Sequence, residues 1–205
     1  MLSELKITEF LARTASSNPV PGGGSVSALG AAMAAALSEM VASITIGRKG
    51  FETHEKEMLA IVQRAQSLRE KLIEDIDRDS DAYSHVLAAF RLANDTEEHK
   101  NERSQAIQDG LKQAALIPLG VAKDASELLD LAEKVVARGN KNAVTDAAVA
   151  AMMARTAILG ALLNVKINLK SIKDLLFVKD VADQVQEIES RVERKEKNIL
   201  AQIDV

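Results

Sequence analysis

Apolar positions along this chain either recur every three to four residues or fill whole segments, and no run alternates with period two for long enough to suggest a strand. Thr8 is placed to cap a short first helix reaching about Ser16, which the run Ser17-Asn18-Pro19-Val20-Pro21-Gly22-Gly23-Gly24 must end. From Ser25 a small-residue apolar helix extends to Gly47, where a glycine followed by Arg48 and Lys49 gives a stop with favourable basic charge. A long amphipathic helix follows from about Thr53 to Leu92. Its apolar stripe reads Leu68, Leu72, Ile76, Tyr83, Leu87 and Phe90, with an interruption at residue 79. Thr96, followed by Glu97 and Glu98, opens the next helix, which ends near Arg138-Gly139 and which Pro118 is expected to kink or split. After a turn at Asn140 to Asn142, the segment from Asp146 to Leu169 is apolar nearly all round. From Lys179 onward Val181, Val185, Ile188, Val192, Ile199 and Ile203 form the stripe of a charged helix. The pattern predicts an all-α, single-domain helical bundle over residues 1–205, with two largely buried core helices and several covering ones.

Composition narrows the possible functions. The 205 residues contain no cysteine, so a disulfide framework and a thiolate metal site are excluded and nothing asks for an oxidising compartment. The N-terminal stretch has acidic residues within its apolar positions and does not read as a secretory signal. Ser25 to Ile46 is apolar enough to raise the question of a membrane span, but Glu39 near its middle favours a buried core helix, and the cytoplasm is the expected compartment. A net charge of −4 argues against a nucleic-acid or anionic-membrane surface, and four Phe and one Tyr are too few for base-stacking platforms. His54, His85 and His99 are scattered without metal-ligand spacing, so no metal is expected.

Several polar residues stand where chemistry is possible. Pro21-Gly22-Gly23-Gly24-Ser25 leads straight into a helix, so its backbone N–H groups either face an anion or polar ligand or belong to a flexible connector. Asp79 lies three residues after Ile76 and four before Tyr83, on the apolar stripe of its own helix. Burial would raise its pKa, making it a proton-exchanging group or a partner for a developing cation; the other reading is a structural ion pair. Asp77 and Asp81 point elsewhere and are expected to be solvated. Asn164 and Asn168 share one face of an apolar helix and either satisfy neighbours across a helix interface or offer paired donors and acceptors to a heterocycle. Asp146, beside Thr145 at a helix start, reads first as a cap and second as an anchor for a ligand amine. Arg48 and Lys49 supply local positive charge suited to carboxylates.

Four segments, in order, carry a family resemblance: PVPGGGSVSALGAAMAAALSEMVASITIGRKGFE, DSDAY at residues 79–83, RGNKNAVTDAAVAA and LLNVKINL. Together they resemble the formiminotetrahydrofolate cyclodeaminase family, which includes methenyltetrahydrofolate cyclohydrolases and the C-terminal domain of formiminotransferase-cyclodeaminase. The likeness covers almost the whole chain. It implies an all-helical homodimer that binds a tetrahydrofolate one-carbon derivative as substrate near the glycine-rich loop, without a further cofactor. Pro21 to Ser25, Asp79, Tyr83, Asn140, Asp146, Asn164 and Asn168 fall on the family pattern; Thr145 stands where a serine is expected, which keeps the hydroxyl.

The activity so implied is either cyclodeamination of 5-formiminotetrahydrofolate or hydrolysis of methenyltetrahydrofolate to 10-formyltetrahydrofolate. Asp79 would serve as acid/base or cation stabiliser, with Tyr83 and Asp146 beside it in the catalytic set. Asn164 and Asn168 would orient the substrate, and the glycine loop would contact the pterin. Arg48 and Lys49 would meet the glutamate tail, and Asn140 would join the binding residues. A separate formiminotransferase would be needed to supply a formimino substrate. The rival reading is a non-catalytic dimeric helical scaffold whose polar core residues specify packing.

Overall fold

The computed structural model describes residues 1–204, and among them there is no strand. The helices are α1 (Ile7–Thr14), α2 (Gly23–Ser43), α3 (Glu55–Phe90), α4 (Glu97–Arg138), α5 (Val144–Leu169) and α6 (Leu175–Leu200). Short 3₁₀ turns over Glu52–His54 and Lys141–Ala143 lead into α3 and α5. The all-α bundle expected from the periodicity is what forms. Thr8 is not the cap of α1, because the helix starts one residue earlier, after Lys6. Thr96 does cap α4, accepting a hydrogen bond from the His99 N–H at 3.1 Å.

The two apolar helices occupy the core. Ala28, Ala31, Ala34, Ala35 and Val41 of α2 are fully buried, as are Ala150, Ala151, Ala154, Ile158 and Ala161 of α5. Small residues let the two backbones approach closely. Gly30 lies against Ala157 and Met153, and a Cβ on Gly160 would sit 2.5 Å from the Ser27 hydroxyl. Both helices are long and apolar enough to cross a membrane by length and composition, but α3, α4 and α6 pack around them. About half of each is buried inside the bundle. Each keeps one face open: Val26, Met33, Met40 and Ile44 on α2, and Val149, Met152, Leu163 and Ile167 on α5 are between 40% and 65% exposed.

Pro118 neither splits nor ends α4, which runs unbroken for 42 residues. Without an N–H, Pro118 cannot bond the carbonyl of Ala114, four residues back. Asn168 from α5 supplies the missing donor: its Nδ2 lies 2.7 Å from the Ala114 oxygen and 3.0 Å from the Asn164 oxygen. A proline in a buried helix is thus accommodated by an amide from the neighbouring one. Asn168→Ala should cost about 1–3 kcal/mol by leaving that carbonyl unpaired. The cost should shrink in a Pro118→Ala background, where the backbone N–H returns. Urea denaturation of the four proteins checks this, and an equal cost in both backgrounds would contradict it.

Candidate functional site

Three helices continue past the N-terminus of α2. A Cβ on Gly23 would lie 3.1 Å from Asn164 Nδ2, and Ser25 meets Ile76 and Asp79, so α2 begins beside the middle of α3 and the last turns of α5. Beyond that point α3 runs on to Phe90 with part of its α2-facing side exposed. This explains a departure from the predicted stripe. Leu68, Leu72 and Ile76 are buried, whereas Tyr83, Leu87 and Phe90 are 40%, 36% and 49% exposed. The buried residues there are Ala82, Val86 and Ala89, turned toward α4, where a Cβ on Gly110 would meet Val86 at 3.1 Å.

At the base of this opening stands Asp79. Its Oδ2 accepts a hydrogen bond from the Ser25 hydroxyl at 3.0 Å, and the same hydroxyl lies 2.9 Å from the Ile76 carbonyl. Gly22, the residue before α2, has no side chain to cap it, and the Ser25 backbone N–H in the first turn of the helix turns instead to the Asp79 carboxylate, at the positive end of the helix dipole. Neither Gly23 nor Gly24 has positive φ; both are helical. Their requirement is steric. A Cβ on Gly24 would overlap both oxygens of Asp79. The preceding Val20–Pro21 peptide is cis.

Burial pushes the Asp79 carboxyl up from its ordinary 3.8, against the opposing effect of the Ser25 hydrogen bonds, and the negative charge of Asp75 one turn away adds to the rise. Asp75 was not apparent from the sequence, although its spacing from Leu72 and Asp79 places it on the same stripe. It is 1% exposed and bonded to Arg78 Nη1 at 2.5 Å, with Lys71 Nζ 3.9 Å from an Oδ2 that has no hydrogen-bond partner. Burial raises its pKa too, outweighing the two cations. Asp77, expected to be solvated, instead accepts hydrogen bonds from the Leu2 N–H and the Ser3 hydroxyl and fastens the N-terminus.

The remaining expected residues separate into two groups. Asn164 stands over Gly23, its Nδ2 bonded to the Gly160 carbonyl at 2.8 Å. Asn168 is beside it, but both its N–H groups go to backbone, leaving only its carbonyl oxygen for a ligand. Tyr83 lies one turn from Asp79 on the open face. Arg48, Lys49, Asn140 and Asp146 lie elsewhere, at the other end of α2, whose 21 residues span roughly 30 Å. There Asn140 is 5% exposed; its N–H donates to Thr45 Oγ1 at 2.9 Å and its Oδ1 receives the Asn142 N–H, so it builds a turn. Asp146 is in the first turn of α5 and caps nothing, because the helix begins at Val144 after Ala143. Within one chain these four residues do not reach Asp79. Among the described residues no cluster of His, Asp or Glu could hold a metal ion.

The family described as Formiminotransferase-cyclodeaminase matches residues 6–187. The chain belongs to it. A methenyltetrahydrofolate cyclohydrolase from Methylorubrum extorquens is 38% identical over 85% of this chain and 84% of its own length. The formimidoyltransferase-cyclodeaminase of Sus scrofa is 35% identical over 87% of this chain, which spans only 33% of that longer protein. The crystal structure of formiminotetrahydrofolate cyclodeaminase from Thermotoga maritima superposes with a TM-score of 0.89 at 33% identity, over 98% of this chain and 97% of that one. The fold is therefore that of a formiminotransferase-cyclodeaminase family member across the whole helical unit.

Two outcomes follow from the packing of this family member around Asp79. Gly24→Ala should lower stability by about 1–3 kcal/mol, the usual range for an overpacked site, because the carboxylate has to move. Gly23→Ala, facing only a side-chain amide, should cost less. Equal melting temperatures for the two variants would contradict the overlap. The second outcome concerns pH. A carboxyl whose folded pKa is raised contributes stability below its unfolded value and loses it as pH rises through the folded value. The contribution of Asp79 should therefore decline as pH rises from about 3.8, so the stability of Asp79→Asn relative to the wild-type protein should rise over the same interval. Identical pH slopes would contradict the raised pKa.

Proposed function

We propose that this chain is a folate one-carbon enzyme acting at the level of 5,10-methenyltetrahydrofolate, by cyclodeamination of 5-formiminotetrahydrofolate or hydrolysis of the methenyl bridge. The observation that carries the reading is the Asp79 carboxyl, shifted up by burial, hydrogen-bonded to Ser25 at the start of α2 and one turn from the exposed Tyr83. The named functions of the cyclohydrolase and cyclodeaminase relatives support it.

Both reactions pass through a tetrahedral carbon between N5 and N10. In deamination N10 attacks the formimino carbon, and the adduct must gain a proton on nitrogen before the C–N bond breaks and ammonia leaves. A carboxyl whose neutral form burial favours is suited to give that proton. In hydrolysis, water adds to the methenyl carbon and surrenders a proton. The carbon–N5 bond then breaks and N5 takes up a proton, leaving the formyl group on N10. The same carboxyl in its ionised form accepts the first proton and stabilises the cationic bridge before attack. Ser25 holds one carboxylate oxygen, and Asn164 and the Oδ1 of Asn168 stand where they can orient the pterin. Tyr83, Leu87 and Phe90 offer the flat apolar surface that a pterin and its benzoyl group require. The chain covers about a third of its bifunctional relatives, so a formimino substrate would come from a transferase activity outside this span.

We also propose a homodimer through the open faces of α2 and α5. The two helices meet edge to edge at Gly30, Ala157 and Gly160, so their exposed Met, Val, Ile and Leu side chains form one continuous apolar surface, which a second copy would cover. With the two-fold axis running across these helices, the partner would bring its own Asp146, Arg48 and Lys49 toward the Asp79 end. That arrangement would unite the two separated groups of family-pattern residues.

Asp79→Asn should lower the turnover number roughly 100-fold or more, the range for losing a general acid/base, while the protein stays folded. Methenyl absorbance, followed with methenyltetrahydrofolate and separately with 5-formiminotetrahydrofolate, measures this and tells the two activities apart. A destabilised variant of undiminished turnover would make Asp79 structural. Met33→Glu should yield monomers in sedimentation at micromolar concentration; an unchanged oligomer would remove the α2–α5 face from the interface.

A further inference from the structure

Asp75 is a buried titratable group that the chemistry above leaves without a task. On α3 it stands where two stripes meet, with Leu72, Ile76 and Asp79 on the side of α2 and Ala82, Val86 and Ala89 on the side of α4. It precedes Asp79 by four residues, so the two side chains are neighbours on one face of the helix, with Cβ atoms about 5–6 Å apart. The charged groups that face Asp75 are Lys71 and Arg78 on its own helix and Asp124 from α4, which holds Lys71 in an ion pair. α2 and α5 bring Ser25 and Asn164 to this level, neither of them charged.

The two oxygens of Asp75 are unequal. Oδ1 accepts from Arg78 Nη1 at 2.5 Å, whereas Oδ2 is buried without a hydrogen-bond partner, 3.9 Å from Lys71 Nζ. An ionised oxygen sealed from water without a donor is costly, and a proton bound there removes the charge. Burial favours that neutral form and outweighs both cations. Asp79 is under the same pressure, from burial and from the negative charge of Asp75. When two desolvated carboxyls are neighbours, the first to ionise holds back the second, and the pair titrates in two steps. Between those steps two carboxyls hold one proton.

We infer that Asp75 and Asp79 act as one coupled pair holding a single proton, with Asp75 the buried member that stores the charge or the proton while Asp79 exchanges protons with the substrate. For its substrate the inference rests on the folate reading above. Both reactions need a base and an acid within one turnover. In cyclodeamination N10 loses its proton as it bonds the formimino carbon, and the departing nitrogen gains protons before the C–N bond breaks and ammonia leaves. In hydrolysis the attacking water loses a proton and N5 gains one as the carbon–N5 bond breaks. Asp79 alone meets the reacting atoms; Asp75 acts through it and is a positioning residue. A groove of about 180 Å³ between α3 and α4, bordered by Lys71, Asp75, Arg78 and Gln113, offers the pair a route to water while a substrate covers Asp79.

Carbon-13 NMR titration of aspartate-labelled protein tests the pair without substrate. In Asp75→Asn the Asp79 midpoint should fall, because the neighbouring charge is gone. In Asp79→Asn the Asp75 midpoint should fall in return, since coupling between two sites is reciprocal; this second arm stands even where Asp75→Asn does not fold. Turnover reads the use of the pair. Asp75→Asn should lower kcat roughly tenfold with KM nearly unchanged, and the break in its kcat–pH profile should move down with the Asp79 midpoint. Midpoints that stay in place when the other carboxyl is removed would overturn the pair. So would an Asp75→Asn protein, whatever its kcat, whose pH break is that of the wild type, as expected of a merely structural carboxylate. No turnover of either methenyltetrahydrofolate or 5-formiminotetrahydrofolate by the wild-type protein, with reciprocal midpoints, would remove the folate reading and leave the coupled pair standing.

Discussion

The site depends on one unusual contact, a carboxylate from the middle of one helix pressed against the first turn of another. Asp79 occupies the position that a capping side chain would normally take at the start of α2, and it does so only because Gly24 has no Cβ. Two demands oppose each other there. Burial favours the neutral acid, whereas the hydrogen bonds from the Ser25 hydroxyl and backbone N–H favour the anion. Burial is the larger of the two, and the carboxyl stays above its ordinary value. The same glycines that admit the carboxylate also bring Asn164 of α5 within reach, so the loop, Asp79 and the amide form one unit.

The opening above this unit follows from unequal helix lengths. α2 has 21 residues, against 36 in α3 and 42 in α4, and it stops beside Asp79 while its neighbours continue. What would be core if α2 were longer becomes an apolar wall for a ligand. The unbroken course of α4 past Pro118 is part of this arrangement. Asn168 restores the hydrogen bond to the carbonyl that proline leaves free, and α4 continues helical past it.

Much of this was legible in the sequence. Helical periodicity gave the order and type of every long element, and the interruption at residue 79 of an apolar stripe pointed to a carboxyl that the structure places against the first turn of α2. Other features were hidden because they depend on where helices end in space. Tyr83, Leu87 and Phe90 continue the stripe in one dimension, but nothing in their spacing tells that α2 will stop before reaching them. Asp75 looked like one charge among many in Glu74-Asp75-Ile76-Asp77-Arg78-Asp79 until burial singled it out. Arg48, Lys49, Asn140 and Asp146 belong to shared segments of the family pattern, and sequence order carries no information that they fold to the far end of α2. The double role of Asn168 required knowing that it faces the carbonyl freed by Pro118, a contact across 54 residues.

The central claim is that Asp79 is a desolvated carboxyl poised beside Ser25 at the helix start. Carbon-13 NMR of aspartate-labelled protein, with the Asp79 resonance assigned through Asp79→Asn, measures it directly. The account predicts a titration midpoint above the ordinary 3.8, moving higher still in Ser25→Ala, where the hydrogen bonds to the anion are weakened. A midpoint at or below the ordinary value, unmoved by the loss of the Ser25 hydroxyl, would contradict it.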